Sequence, residues 1–167
     1  MPPRILIFVG LSGDGPRAAA GAACELSPPG FARPLTLDPA QADSVVRRTG
    51  DDLAEHLALR PVAWELAILA RVTELLRERP DATVVIDAPR PDALLRVIEA
   101  ADLARARLDA GRPGPATSTL AAQRSLGASP ELPVLRAAAT GGDLLRAPEL
   151  TTVGLAGPGG AAGGTGK

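Results

Sequence analysis

Lysine is almost absent from this chain. Of the 18 lysine and arginine residues, only Lys167, the last residue, is lysine. Chemistry that needs an ammonium group inside the fold is excluded, and arginine must carry the positive charge. There is no tyrosine, and aromatic residues make up 2% of the chain. The core must therefore be built from Ala, Leu and Val. Cys24 is the single cysteine, which excludes an internal disulfide and a paired-cysteine zinc site. It stands in an Ala-rich run and reads as a small buried filler. The first apolar stretch is too short to span a membrane and runs straight into a loop, unlike a signal peptide. The expectation is a cytoplasmic protein. A net charge of −1 gives no general attraction for nucleic acid.

What is present suits one compact α/β domain. The chain has 167 residues, 46% of them hydrophobic, enough to bury a core. Its 18 glycines and 17 prolines cluster in turns and toward the end. Residues 1–150 read as the domain and 151–167 as a Gly-rich tail, although "TTVGLAG" also has the composition of a late strand. No internal repeat is found.

Residues 5–9 form a continuous apolar run ended by Gly10, the mark of a strand buried on both faces. Residues 16–26 read as a helix with Pro16 in its first turn. "SPPG" stops it. Residues 31–37 read as a second strand, placed near an edge by Pro34. Residues 40–48 read as a helix. Residues 61–79 give the clearest helix, with Trp64, Ile68, Val72 and Leu75 on one stripe. Residues 83–86 read as a third strand ending at Asp87, and residues 91–110 as a long helix. Shorter helices are expected over 116–126 and 131–139. This alternation predicts a parallel sheet with helices on its faces and right-handed crossovers.

"GLSGDGPR", residues 10–17, lies between the first strand and the first helix. Phosphate loops occupy that place, because backbone N–H groups and a helix N-terminus point at the anion. Their pattern is G-x-x-x-x-G-K-[ST]. Gly10 and Gly15 frame the loop, and Gly13 is an extra glycine. The lysine position is Pro16, which also lacks a backbone donor. The magnesium-binding position is Arg17, which cannot hold a cation. Asp14 sets a carboxylate where a phosphate would lie. Ser12 retains a hydrogen-bond donor. Read alone, the loop fits either a degraded phosphate site or a turn that uses glycine for its backbone angles.

Three ordered segments give a resemblance. "ILIFVGLSGDGPRAAAGAACEL", then "PLTLDPAQADSVV", then "ATVVIDAPRPDALLRVIEAADL" are similar to the first part of the ArsA-type anion-pump ATPases and their relatives that target tail-anchored membrane proteins. Those carry G-K-G-G-V-G-K-T, then S-T-D-P-A-H-x-x-S-D, then V-V-V-D-T-A-P-T-G-H-T-L-R. The similarity covers residues 4 to 109. It implies a P-loop NTPase-like fold, truncated and degenerate, since family members are far longer.

The departures fall where the family does its chemistry. Its two loop lysines stand at Leu11 and Pro16. Its switch histidine stands at Gln41 and its water-orienting aspartate at Val45, with Asp43 shifted by two. The flexible second switch becomes Ala88-Pro89-Arg90-Pro91-Asp92-Ala93. Only Asp38 and Asp87 keep their acidic side chains. The resemblance thus implies a pseudo-ATPase with no catalytic residues and no metal site, with ATP and magnesium disfavoured as cofactors. Residues of the old nucleotide site are Gly10, Ser12, Gly13, Gly15, Arg17, Asp38 and Asp87. Because the family works as dimers, the implied role is a structural or regulatory partner in a homo- or hetero-dimer with an intact ATPase. The helices over 61–79 and 91–110 are candidate interface surfaces, with core as the simpler reading. Two other readings stay open: an ATPase in which Arg17 or a partner's residue replaces lysine, and a small-anion binder that uses the loop. His56, in "DDLAEHLAL", reads as a solvated or partly buried helix residue. Asp51, Asp52 and Glu55 read as charges at a helix N-terminus.

Overall fold

The computed structural model describes residues 4–10, 15–110, 131–146 and 151–155. The chain folds as an α/β unit around a four-stranded sheet in the order β2-β3-β1-β4. The strands are β1 (Arg4–Gly10), β2 (Ala32–Thr36), β3 (Thr83–Ala88) and β4 (Thr151–Leu155). Every pairing is parallel. The described helices are α1 (Gly15–Leu26), α2 (Ser44–Ala54), α3 (Ala63–Glu78), α4 (Pro91–Ala110) and α5 (Leu132–Leu145). The expected alternation is present, and Pro34 does lie on an edge strand. The late strand that the composition of "TTVGLAG" allowed is present. Residues 151–155 are not tail but β4, with Leu6 opposite Thr151 and Gly10 opposite Leu155.

Alternation along the strands divides the sheet into two faces. Ile5, Ile7, Leu35, Leu37, Val84, Ile86 and Ala88 join one core with residues of α2 to α5. Leu6, Phe8, Pro34, Thr36, Val85 and Asp87 take the opposite phase. That second face is covered by α1, which packs on β1, β2 and β3.

α3 is the centre of the core. The sequence gives it one apolar stripe, but it is buried nearly all round, including Glu65 and Thr73. The reason is that α2, α4 and α5 all pack on it. Its stripe is therefore core and not a free surface. The Thr73 hydroxyl donates to the Ala137 carbonyl at 2.8 Å, which ties α3 to α5. α5 comes so close that a Cβ on Gly142 would lie 2.2 Å from Ala101 Cβ. One on Gly141 would lie 2.4 Å from the Leu69 carbonyl oxygen.

The helix expected over 40–48 is also corrected. Asp38 caps a 3-10 turn over Pro39–Gln41, and Asp43 caps α2, its Oδ1 accepting from Val46 N–H at 2.8 Å. α2 then runs to Ala54, so Asp51, Asp52 and Glu55 stand at its C-terminal end, not its N-terminus. They oppose the helix dipole there. His56 follows the helix, with Nε2 3.7 Å from Glu131 Oε2. The helix expected over 116–126 lies outside the described residues.

Candidate functional site

A parallel sheet presents its ligand site at the carboxyl ends of neighbouring strands whose connections leave in opposite directions. β1 and β3 are such a pair. The chain leaves β1 through α1 to reach β2, beyond β3, whereas from β3 it crosses past β1 to β4. Gly10, Asp87 and Asp38 all fall at this edge. Ser12 and Gly13 lie outside the described residues.

Gly10 and Pro16 are one packing unit. Gly10 is buried, and a Cβ there would lie 2.4 Å from Pro16 Cγ and 2.7 Å from Cδ. Pro16 itself is among the most buried side chains. The proline ring thus seals the start of α1 against the end of β1. Gly15 differs: among the described residues, a Cβ there would meet nothing within 4 Å. Of the two framing glycines, only Gly10 is demanded by its surroundings. Cys24 is half-buried rather than fully buried, and its burial pushes the thiol pKa up, which makes it a poor nucleophile.

Asp87 is the group with the least ordinary surroundings. It lies in register between Phe8 on β1 and Thr36 on β2 and is only 8% exposed. Its Oδ1 has no hydrogen-bond partner among the described residues. Burial raises its pKa above the usual carboxylate value, and Asp38 adds to this, while the Thr36 hydroxyl, Arg17 and Leu37 act the other way. Asp38 is committed to its turn: its N–H donates to Thr36 Oγ1 at 3.0 Å and its Oδ1 accepts from Ala40 N–H at 3.0 Å. Asp43 is likewise engaged, with Oδ2 3.4 Å from Arg71 Nε. Arg96 pairs with the buried Glu65 at 2.7 Å. That pair joins α4 to α3.

A cavity of about 340 Å³ opens between α1 and the ends of β2 and β3. Ala20, Pro34 and Val85 give it apolar walls, and Arg17, Thr36, Gln41, Asp43 and Asp87 supply its polar groups. Arg17, Asp87 and the Gln41 position are therefore brought together, while Asp38 stays outside the lining. Thr36 was not singled out from sequence. Its signal was available: it stands between Leu35 and Leu37, both core residues, so period-two alternation turns it to the α1 face with Asp87. Among the described residues, no three His, Cys, Asp or Glu side chains group as metal ligands. None of the described helices is long and apolar enough to cross a membrane.

No family model, curated protein or solved structure matches this chain.

Proposed function

We propose that this chain is a degenerate, non-hydrolysing relative of the ArsA-type ATPases, acting as the structural or regulatory half of a pair with an intact ATPase subunit. One observation carries the reading. At the first turn of α1, where phosphoryl transfer needs a lysine, Pro16 is buried against Gly10. Phosphoryl transfer depends on placed positive charge, magnesium and an oriented water. Here no lysine occurs before residue 167, the next residue is Arg17, and Asp87 is a buried acid with an oxygen unpaired among the described residues. The strand order adds support, because β1 lies inside the sheet next to the acid-bearing β3. Such a framework is retained as fold whether or not the chemistry survives. A partner role is what remains for a chain of this kind once hydrolysis is lost.

Phosphate release from Mg-ATP tests the reading, with the chain alone and mixed with an intact ATPase of the resembled family. The expected result is no release from the chain alone and a changed rate in the mixture. Turnover by the chain alone that disappears in Arg17→Ala would show instead that arginine has replaced the lysine.

A further inference from the structure

A partner role does not account for the cavity beside Asp87. Its volume of about 340 Å³ falls at the low end of the range for small-molecule sites, and apolar walls with a few converging polar groups are their usual make-up. The polar groups are unequally occupied. Asp43 gives one oxygen to Val46 N–H and the other to Arg71. Asp87 is more than nine-tenths buried, lines the cavity and leaves Oδ1 without a partner among the described residues. A buried carboxylate oxygen in this state calls for a donor. A phosphate would bring negative charge to a lining that holds two carboxylates and one arginine. A neutral hydroxyl would supply a donor but no charge. A protonated amine supplies both, and hydrogen bonds between ionised partners are about twice as strong as neutral ones.

We propose that this cavity binds a small molecule carrying a protonated amine on a compact apolar body, with the amine donating to the Asp87 carboxylate and the body lying against Ala20, Pro34 and Val85. The site does not depend on the chain's relation to any ATPase. It also reverses the charge preference expected of a phosphate loop. The charged groups facing Asp87 are Arg17 from α1, Asp38 from the turn after β2, and Asp43 across the cavity. Because the amine needs the ionised carboxylate, binding weakens as acid protonates Asp87.

The test uses the full chain and isobutylammonium chloride as probe, followed by two-dimensional amide NMR at constant ionic strength. Isobutanol, isobutyrate and inorganic phosphate are the comparison ligands. The expected result is saturable shifts at Ala20, Gly21 and Val85 in the millimolar range, as suits so small a ligand. Affinity should exceed that of isobutanol by about tenfold, the factor set by one stronger hydrogen bond. It should fall by a similar factor in Asp87→Asn, and also in the unaltered protein as pH is lowered. Absence of shifts at those residues, equal binding of isobutanol, undiminished binding to Asp87→Asn, or tighter binding of isobutyrate or phosphate there would each overturn the proposal.

Discussion

Pro16 and Asp87 each have a physical consequence that can be measured. The ring of Pro16 occupies the space that a side chain on Gly10 would need, with 2.4 Å between Cγ and the added Cβ. Gly10→Ala should therefore cost about 1–3 kcal/mol, the usual range for overpacking a filled site. Pro16→Ala in the same chain should restore part of that loss, because it removes the opposing atoms. Gly15→Ala should be neutral or slightly stabilising, as its site is open and Ala favours a helix. Thermal unfolding of the three variants checks the set, and equal losses at Gly10 and Gly15 would refute it. Asp87 gives a prediction in pH. Its folded pKa is raised, first by burial, so the native state holds the proton more tightly than the unfolded chain. Its contribution to stability is full below the ordinary aspartate pKa and is lost as pH rises through the folded value. Asp87→Asn should raise the Tm at neutral pH, and the difference should vanish in acid. The presence of an acid at Asp87 was legible from its place at the end of an apolar strand. The vacancy at its Oδ1 was not, because that depends on which residues of β2 and α1 fold against it.

At the scale of elements, close helix contacts decide what the sequence could and could not reveal. The helix expected over 131–139 stops short of Gly141 and Gly142. α5 nevertheless continues to Leu145. The glycines are used for approach: at Gly142 the facing atom is Ala101 Cβ, and at Gly141 it is the Leu69 backbone. Gly142→Ala should lower stability by about 1–3 kcal/mol, and Ala101→Gly should recover part of it by vacating the same space. Denaturant unfolding of both single variants and the double variant checks the pair, and additive losses would contradict the contact. α4 was legible to the residue, Pro91–Ala110, since a proline opens it and a glycine follows it. α2 was misplaced because "DPAQAD" holds two capping aspartates in succession. Asp38 closes a short turn, and only Asp43 starts the helix. The amphipathic stripe of α3 underestimated its burial, because a single helix pattern does not tell how many neighbours will pack on it.

For the whole molecule, alternation of apolar strand and helix was enough to foresee a parallel α/β sheet. The strand order was not legible, since parallel crossovers of similar length can reach several neighbours. It was β4, cut off as tail by its glycine-rich surroundings, that completed the sheet beside β1. The sheet sets β1 and β3 side by side with their connections leaving in opposite directions, and so makes a crevice at the edge where Gly10, Pro16 and Asp87 meet. This crevice lacks lysine, has a proline sealed into its first helical turn, and holds a buried acid with an oxygen unpaired among the described residues. The function proposed above implies that the framework of a phosphate site remains and its affinity for phosphate does not. Calorimetric titration of the purified chain with ATP and with ADP, with and without magnesium, tests this most directly. The account predicts no heat of binding and no thermal stabilisation by either nucleotide. Saturable heat that is lost in Gly15→Val or Arg17→Ala would contradict it.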